Sequence, residues 1–106
     1  MNSGESQKLL SFIGLCMRAG KLQAGDGKTT DAVRKNKAYL VLMSDDASEN
    51  TVKKYRNMCE GRNVPILTIC GRDELGAAIG REFAVTAAVT DKGFAGRIIE
   101  LAERVD

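Results

Sequence analysis

Gly25-Asp26-Gly27-Lys28-Thr29-Thr30-Asp31-Ala32-Val33-Arg34-Lys35-Asn36-Lys37-Ala38-Tyr39-Leu40-Val41-Leu42-Met43 holds three signals in a row. A glycine turn opens it, a short polar helix follows to about Asn36, and the apolar run Ala38–Met43 ends it. Such a run suits a central strand covered on both faces. A turn, a helix and a buried strand in so few residues point to a layered α/β fold.

The same alternation continues outward. Upstream, residues 5–19 read as a helix with Leu9, Phe12, Ile13 and Cys16 on one face and Gly20 as its stop. A short strand at Lys21–Ala24 leads into the turn, where Asp26 reads as the N-cap. Downstream, Asp46 and Glu49 have capping-box spacing for a helix to about Glu60, with Val52, Tyr55 and Cys59 facing inward. Val64–Cys70 reads as a strand, and Asp73 opens a short helix ending near Gly80. Phe83–Thr90 is a further strand, and Asp91 caps a last helix striped by Phe94, Ile98, Leu101 and Val105. The expected architecture is a three-layer α-β-α sandwich around a mixed four-stranded sheet, built as a single domain over residues 1–106.

Composition narrows the chemistry. The chain has 106 residues, 43% of them apolar, and a formal charge of +2. No apolar run approaches the ~18 residues of a membrane span. The start, MNSGESQKLL, lacks the basic and apolar parts of a signal peptide, so a cytoplasmic protein without membrane partners is expected. Histidine is absent, which removes Ser-His-Asp and Cys-His catalysis and imidazole-ligated zinc. Cys16, Cys59 and Cys70 have no CxxC spacing and read as reduced core residues. Few aromatic residues are present, which argues against a broad base-stacking sheet.

Cations concentrate beside the glycine turn. Between residues 18 and 37, Arg18, Lys21, Lys28, Arg34, Lys35 and Lys37 outnumber Asp26 and Asp31. Scattered cations usually solvate a helix face, but a cluster also displaces counterions from phosphates. Glycines allow close backbone approach, and the amides that open a helix attract anions. Gly27-Lys28-Thr29 imitates the end of a Walker A loop, yet Leu22 stands where that motif requires glycine, so a nucleotide hydrolase is not expected. Folded RNA is the other polyanion that fits such a turn.

Six stretches carry a resemblance that covers nearly the whole chain. They are Gly14–Leu22, Gly25–Leu42, Ser44–Thr51, Val64-Pro65, Glu74–Gly80 and Ala88–Ala95. In this order and spacing the chain resembles the large-subunit ribosomal protein seven-Ae family, small α-β-α proteins that bind kink-turn RNA. It is most similar to the small bacterial, ribosomal-protein-like members. The resemblance implies a non-enzymatic, monomeric protein without cofactor, which binds structured RNA and associates with the ribosome. It implies contacts from the turn residues Gly25, Gly27, Lys28 and Thr29, with Asp31 one turn further on. Where other members place Asn, Glu and Lys, this chain holds Gly27, Lys28 and Asp31. Lys21, Arg34 and Lys35 are the implied flanking phosphate contacts. The loop before the last strand implies Arg81 for phosphate and Phe83 for a base, although Phe83 equally suits the start of the strand core. The other function open to the fold is a protein-interaction module that has lost its RNA contacts, which Asp31 and the acidic tail favour.

Overall fold

The computed structural model describes residues 3–105; Met1, Asn2 and Asp106 lie outside them. The elements alternate as the sequence patterning requires. They are α1 (Ser3–Arg18), β1 (Leu22–Ala24), α2 (Asp26–Arg34), β2 (Leu40–Met43), α3 (Glu49–Glu60), β3 (Ile66–Thr68), α4 (Arg72–Ala78), β4 (Thr86–Val89) and α5 (Lys92–Glu103). The sheet runs β1-β4-β2-β3, with β4 antiparallel to both β1 and β2, and β2 parallel to β3. The mixed four-stranded sheet expected from the sequence is therefore present.

Strand alternation divides the core into two layers. Leu40 and Leu42 face α1, α4 and α5, with Ile13, Leu75 and Ile98 fully covered between them. Val41 and Met43 face the opposite way, onto Val33 of α2 and Tyr55 and Cys59 of α3. The uninterrupted apolar run at β2 thus reflects helices on both sides. Rings of Phe12 and Phe94, 5.2 Å apart, join α1 to α5. Gly14 lets α1 approach α4, because a Cβ there would lie 2.6 Å from the Ala78 carbonyl oxygen.

Several ends differ from the sequence reading, each for a local reason. Asp26 is the first residue of α2 and not its cap; Gly25 holds the cap position. Ser48 caps α3 by accepting from the Thr51 amide, which leaves the Asp46 carboxylate free for another helix. Asp46 accepts from the Arg72 amide at 3.2 Å and pairs with the Arg72 guanidinium at 3.3 Å. The start of α4 is thereby capped from a distant loop, while Asp73 lies in its first turn and Gly71 has no side chain to offer. The last strand begins at Thr86, so Phe83 belongs to the preceding loop and not to the strand. Asp91 caps α5 as its position suggests, accepting from the Phe94 amide at 2.9 Å.

Cys16 and Cys59 are buried and Cys70 is half-buried, all as free thiols. Burial pushes the thiols of Cys16 and Cys70 up to about 11, away from the thiolate form. Among the described residues, no helix is long and apolar enough to cross a membrane.

Candidate nucleic-acid interface

The site begins where β1 gives way to α2. Gly25 has φ 99° and ψ 156°, a conformation essentially closed to residues with a Cβ. In that geometry its N–H donates to the Thr86 carbonyl at 3.0 Å, which stitches the end of β1 to the start of β4. Its own carbonyl accepts from the Thr29 amide at 2.9 Å and from the Thr29 hydroxyl at 2.6 Å. No side chain caps the helix that follows. The first amides of α2 therefore lack helical acceptors and form the positive end of the peptide dipoles. Lys28 stands exposed on the same turn.

The second wall is the loop from α4 to β4. The Arg81 amide donates to the Gly76 carbonyl at 2.8 Å, and the Ala84 amide to the Arg72 carbonyl at 3.0 Å. Gly76 makes this fit possible: a Cβ there would lie 2.5–2.8 Å from the backbone of Phe83. The loop is held to α4 on both sides of Phe83, a residue 57% exposed. The loop backbone is thus anchored while the Phe83 side chain is left uncovered.

Helix α3 supplies the third wall through Asn50, Thr51 and Lys54. The three walls enclose an open groove of about 740 Å³ reaching from Gly25 to the Arg81–Thr86 loop. Beneath the lining residues Asp26 and Thr86, the buried Tyr55 hydroxyl donates to the Asp26 carboxylate at 2.7 Å and lies 3.3 Å from the Thr86 hydroxyl. Lys54 pairs with the same carboxylate at 3.0 Å. The Tyr55 hydrogen bond, then Lys54, hold the Asp26 carboxyl below its ordinary range. Burial, above all, pushes the Tyr55 phenol up, so it remains a donor at neutral pH. Asp26 thus stays ionised, and Lys54 offsets part of its charge at the groove.

This arrangement has a pH signature. A carboxyl whose folded pKa is depressed stabilises the fold above its unfolded value and ceases to do so as pH falls through the folded one. The stability difference between wild type and Asp26→Asn is therefore expected to be larger at neutral pH than near about pH 3. Urea denaturation at the two pH values measures it.

The structure unites some of the residues singled out by the sequence and separates others. Gly25, Arg81 and Phe83 share the groove, and Gly27 and Lys28 lie on the turn at its mouth. Thr29 is corrected from contact residue to internal brace: it is fully buried and its hydroxyl bonds Gly25. Lys35 and Asp31 form an ion pair at 3.1 Å, one turn apart, which answers the negative charge of Asp31 locally. Arg34 and Lys35 occupy the far end of α2, although Arg34 still lowers the Asp26 pKa through its charge. Lys21 precedes β1 at the sheet end opposite Gly25. Sequence reasoning did not reach Asn50, Thr51 and Lys54. The spacing of Asn50 and Lys54 puts them on one face of a helix but does not say which groove that face lines.

Comparison with known proteins bears on this geometry. Residues 7–99 match the model of the Ribosomal protein L7Ae/L30e/S12e/Gadd45 family. The chain is 41% identical over 92 residues to the RNA-binding protein YlxQ of Bacillus subtilis, covering 87% of this chain and 92% of that one. It is 41% identical over 103 residues to the RNA-binding protein YlxQ of Enterococcus faecium, covering 97% and 99%. A more distant relative is the large ribosomal subunit protein eL8 of Thermoplasma volcanium, 26% identical over 89 residues, with 83% of this chain and 74% of that one covered. Among solved structures, a protein of unknown function from Bacillus halodurans superposes with a TM-score of 0.88 at 34% identity, covering 92% of this chain and 98% of that one. The Giardia lamblia 15.5kD RNA binding protein shares the fold, with a TM-score of 0.76 at 21% identity over 99% of this chain and 90% of that one. With nearly the whole length matched, and the glycine turn and the loop before β4 inside the matched span, the chain belongs to the ribosomal protein L7Ae/L30e/S12e/Gadd45 family.

Proposed function

We propose that this protein binds structured RNA without catalysing a reaction, and that its groove grips a sharply bent element such as a kink-turn, in ribosomal or other RNA. The observation that carries this reading is the uncovered Phe83 ring, held by α4 beside the uncapped start of α2. The amides and Lys28 suit phosphates crowded by a bend, and Phe83 suits a base expelled from the stack. The names of the YlxQ and eL8 relatives support RNA as the ligand. Gly27, where a Cβ would meet open space, and Lys28 replace the amide and carboxylate of other members. Readout here therefore leans on backbone amides and charge more than on side-chain contacts to bases.

A mobility-shift titration against a kink-turn RNA and a straight duplex of equal length tests this. Preference for the bent RNA is expected, and equal weak binding to both refutes the claim. Phe83→Ala is expected to weaken binding to the bent RNA by ~1–3 kcal/mol through lost stacking. Lys28→Ala is expected to lower the salt slope by about one contact. An RNase-resistant complex with another protein would instead support the interaction module.

A further inference from the structure

We propose that the sheet end opposite the groove is a second RNA-contact surface, on which Tyr39 receives one unpaired nucleotide while Lys21, Lys37 and Lys92 bind the phosphates around it. This goes beyond the groove and rests on the reading of the protein as an RNA binder.

Backbone register places these residues together. The Thr90 amide donates to the Lys21 carbonyl at 2.9 Å, and the Tyr39 amide to the Val89 carbonyl at 2.8 Å. Leu22 and Leu40 both stand opposite Val89 across the sheet. Lys21, Thr90 and Tyr39 therefore form a row across the ends of β1, β4 and β2. Their neighbours Leu22, Val89 and Leu40 face the α1-α4-α5 layer, so pleating directs the row toward the α2 side. Lys37 stands just before Tyr39, its amide fixed to the Ala32 carbonyl at 2.9 Å. Lys92 opens α5 two residues after Thr90.

Charge and exposure agree. Tyr39 is 50% exposed although its backbone is anchored in the sheet, so its ring stands on a rigid base. Lys92 sits at the positive end of α5, in a first turn without an acidic residue, where a cation is unfavourable for the helix itself. Asp31 pairs with Lys35, while Asp91 turns a carboxylate oxygen to the Phe94 amide and keeps its charge at the start of α5, leaving three cations against one unpaired carboxylate here. Lys21, Lys37 and Lys92 have no ion-pair partner among the described residues. The nine residues of α2, roughly 13 Å of helix, separate this surface from the glycine turn. A strand leaving the groove can therefore cross to it within a few nucleotides. One aromatic ring amid cations matches one stacked base between phosphates, whereas an anionic membrane would call for a broader apolar face.

Fluorescence anisotropy with three labelled RNAs tests the surface: a blunt kink-turn hairpin, the same hairpin with a six-uridine tail, and a straight hairpin with that tail. The tail is expected to tighten wild-type binding about tenfold on either hairpin. Tyr39→Ala, and separately the triple variant Lys21→Ala/Lys37→Ala/Lys92→Ala, are expected to abolish most of that gain and leave blunt-hairpin binding within about twofold. Phe83→Ala should weaken both kink-turn probes equally. A tail that adds nothing, or variants that affect blunt and tailed RNA alike, overturns the proposal. So does lysine-dependent sedimentation with phosphatidylglycerol vesicles without a tail effect. If the groove reading fails, bent and straight hairpins bind equally, while the tail effect on the straight hairpin still reports on this surface. All four substituted side chains are exposed, so a folded variant is expected, and circular dichroism checks it.

Discussion

Tyr55→Ala is expected to destabilise the protein by ~3–5 kcal/mol, the range for emptying a buried aromatic site. Tyr55 is the largest fully buried side chain, and it fills the layer between α3 and β2 with Val41, Met43 and Cys59. The ring is only part of its role. Its hydroxyl reaches the Asp26 carboxylate at 2.7 Å and Thr86 at 3.3 Å, and so ties α3 to α2 and β4 under the groove. Tyr55→Phe keeps the ring and strips that tie, for an expected loss of ~1–3 kcal/mol. Urea denaturation of the two variants separates packing from hydrogen bonding. If phenylalanine proves as stable as wild type, the hydroxyl network contributes nothing to the fold.

Gly76→Ala is expected to disturb the loop before β4 more than any change within the loop. The added Cβ would lie 2.5 Å from the Phe83 Cα and 2.7 Å from its carbonyl carbon. Both obstacles are backbone, so no side chain can rotate away. Forced overpacking of this kind costs ~1–3 kcal/mol. The loop must lift from α4 and carry Arg81 and Phe83 with it. Affinity for a bent RNA should then fall by at least the ~1–3 kcal/mol expected of a lost base–aromatic stack. Gly96→Ala is the control, because it lies in α5 away from the groove, its Cβ would meet open space and alanine suits a helix better than glycine. Thermal melts and mobility shifts on the two variants decide the matter: equal behaviour would show that the Gly76 contact is dispensable.

The sequence made the architecture legible because its signals were local. Leu40–Met43 announced a strand covered on both faces, and the stripes Leu9-Ile13-Cys16 and Ile98-Leu101 announced the helices that cover it. Capping was less legible wherever the partner is remote. Asp46 looked like the cap of the helix beside it, but it caps α4, whose first amide lies 26 residues away in the chain. The candidate site divides in the same way. Gly25 and Lys28 could be read from the turn, and Phe83 from the resemblance. The α3 wall could not, since nothing local to Asn50 or Lys54 says which groove they face. The basic cluster misled in one respect, because residues adjacent in the chain are not adjacent around it. Lys21 and Lys28 flank a three-residue strand and so fall at opposite ends of the sheet.

The strand order carries a consequence for biosynthesis. Because β4 lies between β1 and β2, those two strands share no direct ladder and wait for Thr86–Val89 to bridge them. A nascent chain that has emerged only as far as α4 can pair β2 with β3 but cannot close the sheet. Gly25 likewise lacks the Thr86 carbonyl that its N–H requires. Closure spans most of the polypeptide, a high-contact-order step that slows folding and comes late. The groove therefore takes its shape only after Thr86–Val89 has been synthesised and has closed the sheet.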